Sequence, residues 1–138
     1  MKKYPIIVLF IFFLVFSMKA NHSFSQNTTG ETDAPVLTIV EKMPIFPGGE
    51  EELYKYVASS VVYPTAAKES GITGTVIVTF IVEKDGSVTN VKILKGIGGG
   101  CDEEALRVVK AMPKWSPGKQ DGKPVRVQFN LPIRFSLE

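Results

Sequence analysis

The chain has 138 residues and a formal net charge of +2, enough for one domain of ordinary size and too evenly charged, without a dense basic tract, to point at nucleic acid. A single cysteine, Cys101, excludes an intrachain disulfide. The single histidine, His22, falls in a segment expected to be removed; Ser–His and Cys–His catalysis and the usual zinc sites then fall away, and neither an enzyme nor a metal or cofactor is expected.

Lys2 and Lys3 precede an uncharged apolar block, residues 6–16, and a polar stretch ending Ser23, Phe24, Ser25, Gln26. This is the pattern of a secretory signal peptide, residues 1–25, with the mature chain in the periplasm. A spanning helix needs ~20 apolar residues, and residues 6–18 are fewer; an uncleaved inner-membrane anchor facing the periplasm is the alternative. Residues 26–42 read as a flexible linker, polar and small over 27–33, with strand character at 36–40. Residues 43–138 read as the folded domain.

Pro44, Pro47, Gly48 and Gly49 punctuate the entry to a helix opened by Glu50, Glu51 and Glu52, acids that suit the positive end of its dipole. Leu53, Tyr56 and Val57 recur at helical spacing, and the helix should stop near Ser60. Tyr63 and Pro64 start a short helix that Gly71 ends. Residues 75–82 form a strand apolar on nearly both faces, hence a central one. A turn at Lys84, Asp85, Gly86 and Ser87 returns the chain as a paired strand over 88–94. A glycine loop, 96–100, leads to a second long helix opened by Asp102, Glu103 and Glu104, with Ala105, Val108, Val109 and Met112 on its buried stripe and Pro113 as its stop. After Trp115 and a turn at Asp121 and Gly122 comes the most regular run in the chain. Val125, Val127, Phe129, Leu131, Ile133 and Phe135 alternate with polar residues, the period of a half-buried strand. Pro132, lacking an N–H, argues that this strand lies at a sheet edge.

The simplest assembly is α+β: two main helices on one face of a three-stranded antiparallel sheet, in the order second–first–third, with the last strand at the edge. A long edge strand can template a visiting chain. The expected peptide-binding residues are therefore Val125, Arg126, Val127, Gln128, Phe129, Asn130 and Leu131, with outward backbone groups expected at Arg126, Gln128 and Asn130.

Other features carry rival readings. The loop Gly96, Ile97, Gly98, Gly99, Gly100, Cys101 has the context of a phosphate-binding turn, but its third glycine is replaced by Cys101 and three acids follow; a mobile connector is the simpler reading. Cys101 reads as a small packed residue rather than a reactive thiol, the acids as helix openers rather than a hydrolytic or metal pair, and Trp115 as a core cap rather than a ligand platform. Lys110, Lys114, Lys119, Lys123, Arg126 and Arg134 form either a solvated face or a surface that steers a peptide to the last strand.

Several segments resemble the TonB C-terminal domain family, in the form common in Bacteroidetes: Met43, Pro44, Phe46, Pro47, Gly48 and Gly49; Tyr63, Pro64 and Ala67; Gly71, Gly74 and Val76; Val82, Asp85, Gly86 and Val88; Asp102, Glu104 and Ala105; Met112, Pro113, Trp115, Pro117 and Gly118; and Gly122, Lys123, Pro124 and Val125 running into Leu131, Pro132 and Ile133. The resemblance implies a binding module that adds a short peptide, the TonB box of an outer-membrane TonB-dependent transporter, as a strand beside the last strand. It also implies coupling to an inner-membrane proton-channel motor where the N-terminus is an uncleaved anchor. Full-length relatives carry a long proline-rich spacer; this sequence departs from that pattern, since residues 27–42 are not such a spacer and reach on the order of 50–60 Å when extended. A different class of function uses the same edge for self-pairing in a homodimer of structural or regulatory role.

Overall fold

The computed structural model describes residues 34–137. The expected signal peptide or anchor, His22 and the polar stretch 27–33 lie outside the described residues. Eight elements follow one another: β1 (Val36–Leu37), α1 (Glu50–Ser60), α2 (Thr65–Glu69), β2 (Gly74–Val82), β3 (Val88–Lys95), α3 (Cys101–Lys110), β4 (Gly118–Gln120) and β5 (Lys123–Phe135).

The local chemistry explains the boundaries. Gly48 and Gly49, both at positive φ, turn the chain so that Gly49 N–H donates to Phe46 O at 2.8 Å and α1 starts behind the turn. The acids that open α3 are used structurally. Asp102 accepts from Ile97 N–H at 2.9 Å and from Gly98 N–H at 3.3 Å, so its carboxylate closes the glycine loop. Glu104 accepts from Val62 N–H at 2.8 Å and from Arg107, which also donates to Ser60 O at 2.7 Å. The Arg107 hydrogen bonds hold the Glu104 carboxyl below its ordinary pKa. Cys101 is buried, and burial, then the charges of Asp102 and Glu103, raise its thiol pKa; that is the environment of an inert packed cysteine.

The sheet runs β1–β5–β2–β3, with β4 also paired to β5. β2 is central, antiparallel to both β3 and β5. Its inward face, Val76, Val78, Phe80 and Val82, is at most 1% exposed, which is why the run is so apolar. The β3–β2–β5 order is the expected one, and the helices pack on one face, α3 over β2 and β3. Two details differ from the expectation. The sheet has five strands rather than three, because the short β1 and β4 both find backbone partners on β5. β5 is consequently not an edge strand along its whole length. Residues 34–42, read from the sequence as the end of a flexible linker, are tied to the sheet through β1 and through Lys42, which exchanges two backbone bonds with Lys119.

Trp115 caps the core as expected. It is 4% exposed and meets Phe46, Phe80 and Phe129 at tilted or edge-on angles, with centroids 5.1–5.6 Å away. Its backbone N–H donates to Gly86 O at 2.8 Å, and a Cβ on Gly86 would lie 1.9 Å from Trp115 O. The β2–β3 turn therefore requires glycine twice over, for its φ of 86° and for this backbone approach.

Candidate peptide-docking edge

The seven expected peptide-binding residues fall into two groups. Val125 already faces Gly118 of β4, and Arg126 and Val127 face Val36 and Leu37 of β1. From residue 128 to 135, β2 is the only strand beside β5 among the described residues. The open edge thus keeps Gln128, Phe129, Asn130 and Leu131 and continues to Phe135, four residues past the expected limit.

Arg126 explains the covered half. From the alternation it was expected on the wet face, yet it is buried, at 7% exposure. Its Nε donates to Glu83 Oε2 at 2.7 Å, its Nη2 to Glu83 Oε1 at 3.1 Å, and its Nη1 to Ala34 O at 2.8 Å. The guanidinium fork grips a carboxylate on one side and the chain entering β1 on the other. The Arg126 hydrogen bonds are the main reason the Glu83 carboxyl sits below its ordinary pKa, helped by Thr89 against the effect of burial. Of the late basic residues, Arg126 is engaged with Glu83, and Lys114 lies 3.7 Å from Asp85.

The open half has a definite backbone parity. Pro132 stands opposite Ile77 in an unbroken register from Gly74 opposite Phe135 to Val82 opposite Val127. Opposed residues in an antiparallel pair alternate between those that exchange both backbone bonds and those that turn them away. Pro132 has no N–H to exchange, so its groups turn away from β2, as do those of Gln128, Asn130 and Arg134. These outward groups point to the side that β1 occupies further back. The side chains of Leu131, Ile133 and Phe135 are buried under the helices, while those of Asn130, Pro132 and Arg134 are exposed.

Two grooves border this edge on the helical side. The larger, about 460 Å³, is bounded by residues 129–132 of β5 and, opposite them, by Ile45, Leu53 and Tyr54, with Trp115 also in its lining. Tyr54 is 53% and Ile45 44% exposed. The Trp115 Nε1–H is buried there and has no acceptor among the described residues. The smaller groove, about 170 Å³, is bounded by residues 133–136 and by Val57, Ala58, Val61 and Tyr63. Four consecutive β5 residues line the larger groove, and three, with Ser136 just past the strand, line the smaller, inward and outward ones alike, as happens where a groove opens at the lateral margin of a strand. The sequence pattern marked Leu53, Tyr56 and Val57 as the face α1 turns to the core; the use of Tyr54 and Val61 as a wall beside β5 had no sequence signal, because it depends on where α1 lands.

Among the described residues no cluster of histidine, cysteine or acidic side chains is placed to hold a metal ion, and no helix is long and apolar enough to cross a membrane.

Comparison with known proteins gives a consistent result. The family model for the Gram-negative bacterial TonB protein C-terminal matches residues 59–137. The chain is 36% identical over 77 residues to "Protein TonB" of Vibrio cholerae, covering 55% of this chain and 31% of that protein. It is 31% identical over 83 residues to the Helicobacter pylori protein of the same name, covering 59% and 28%. The chain thus spans about a third of the length of the curated relatives it matches. Among solved structures, an NMR structure of the Helicobacter pylori TonB C-terminal domain aligns with a TM-score of 0.49 at 29% identity, covering 67% of this chain and 87% of that one. The Pseudomonas aeruginosa TonB C-terminal domain aligns at 0.44 and 28% identity, covering 56% and 79%. The family is not an enzymatic one. A helix-backed sheet carrying the family's sequence pattern from residue 59 to its end identifies the chain as a member of the TonB C-terminal domain family.

Proposed function

We propose that this chain is an exported, periplasmic peptide-binding module that takes the N-terminal TonB box of an outer-membrane TonB-dependent transporter as an added strand, in support of energised transport. The observation that carries this reading is the open run of β5 from residue 128 to 135, with β2 on one side and no strand on the other among the described residues. Strand addition draws affinity from main-chain hydrogen bonds, and the outward groups of Asn130 and Arg134 and the carbonyl of Pro132 supply them. β1 already uses this mode on the same side of β5, at Arg126 and Val127.

Titrating isotope-labelled protein with transporter N-terminal peptides tests the reading: amide signals of residues 128–135 should shift most. Shifts confined to α1 and α3 would defeat it. The same edge also suits a second copy of the chain, and sedimentation across concentration separates the two, since a dimer that occupies β5 leaves no room for a peptide. The mass of the mature N-terminus decides between a free binder, starting at Gln26, and an anchored transducer coupled to the proton-channel motor, retaining Lys2.

A further inference from the structure

The two grooves lie on the same side of the open edge, one beside residues 129–132 and the next beside residues 133–136. Their centres are four β5 residues apart, about 13 Å at the rise of an extended chain. Side chains of a strand alternate between faces, so residues i, i+2 and i+4 of a strand laid along β5 would face α1 together. Residue i would enter the larger groove under Ile45 and Tyr54 and residue i+4 the smaller one under Val61, with i+2 passing over α1 between them. The larger groove is lined chiefly by apolar surface; the smaller is mixed, with Val57, Val61 and Ile133 beside Arg134 and Ser136, and the charged residues differ: Glu50 lines the larger groove and Arg134 the smaller.

We infer that the site selects an extended peptide segment with two apolar side chains four residues apart, the larger seated in the 460 Å³ groove and the smaller in the 170 Å³ groove. A basic residue of the guest lies near Glu50 and an acidic one near Arg134. The inference rests on the strand-addition reading and adds to it a side-chain code: the open backbone supplies affinity for any extended chain, and α1 with residues 44–46 supplies the choice among chains. Charge at the two ends sets guest direction.

The probes are capped nine-residue synthetic peptides in a serine–threonine host, with Leu at i and Val at i+4, Lys beside the first and Glu beside the second, made in both chain orders. Trp115, the only tryptophan, lines the larger groove, so its fluorescence reports occupancy there, while amide shifts report the edge. In one chain order, replacing either apolar residue by Ala should weaken binding about tenfold, the worth of burying one branched aliphatic side chain. Moving the second residue to i+3, which turns it to the opposite face, should cost as much. Exchanging the Lys and Glu should weaken binding at low salt and less at high salt. Ala58→Leu, an exposed helical position lining the smaller groove, should abolish the advantage of Val over Ala at i+4 and leave the Ala peptide unaffected. If edge amides shift but i+3 and i+4 peptides bind alike, the side-chain code is wrong and strand addition stands. If no peptide moves the edge amides, or the edge signals change with protein concentration alone, strand addition by a guest fails and the code fails with it.

Discussion

The two halves of β5 share one sequence pattern and meet opposite fates. From Val125 to Phe135, through both, apolar residues alternate with polar residues or proline. Residues 123–127 are met by β4 and β1, and a buried arginine fork closes over the join. Residues 128–135 have β2 alone as a strand neighbour, and two grooves border the edge that β1 covers further back. The contrast teaches that side-chain alternation reports which face of a strand is buried and is silent about its lateral edges. Edge occupancy is settled by backbone groups, and those are the same in every residue except proline.

Proline probes each backbone parity of β5 most directly. Leu131→Pro removes an N–H directed at β2 and a core side chain, and should cost ~3 kcal/mol or more, read as a collapse of the denaturation midpoint. Asn130→Pro removes an outward N–H and should cost about 1 kcal/mol in stability, yet weaken peptide binding about tenfold by calorimetry. Equal destabilisation by the two would show that the assigned parity is wrong.

Glu83→Gln tests the covered half. Loss of the charged acceptor for Arg126 should cost about 2 kcal/mol and raise amide exchange at residues 36–37 and 126–127 more than at residues 128–135. Acid should act in the same place. The folded Glu83 carboxyl sits below its ordinary pKa through Arg126, so the contact contributes fully above the ordinary glutamate value of about 4.3 and is lost as pH falls through the lower, folded one. Hydrogen exchange between pH 3 and 6 should show β1 loosening first on the acid side.

The smallest effect is the most discriminating control. Asn130→Ala should change both stability and binding by under about 0.5 kcal/mol, because the exposed side chain is not what the edge offers. A large loss of binding from this change would move the recognition from backbone to side chain.

Much of the fold was legible residue by residue. The double-sided apolarity of residues 75–82 marked the central strand, Gly49 and Pro113 bounded the helices, and Asp121 with Gly122 made the last hairpin turn, both at positive φ. Trp115 was legible as a core cap from its place before Pro117 and Gly118. Two things were not. Arg126 reads as a solvent-facing strand residue, because a lone arginine in an alternating run gives no hint of a carboxylate 43 positions upstream. Val36 and Leu37 carry strand character, but a two-residue strand has no periodicity from which to infer a partner.

Legible in the residues themselves were the order of the main helices and long strands, the inward faces of α1, α3, β2 and β5, the family, and the presence in β5 of a proline that cannot donate. These are local or periodic properties, written in neighbouring residues through φ preferences and the 2.0 and 3.6 repeats. Which stretch of β5 is covered, where α1 lies beside it, and that two grooves border what remains emerge only from the folded arrangement. Those outcomes depend on contacts between residues far apart in the chain, whose pairing is selected by the closure of the whole core rather than by any segment.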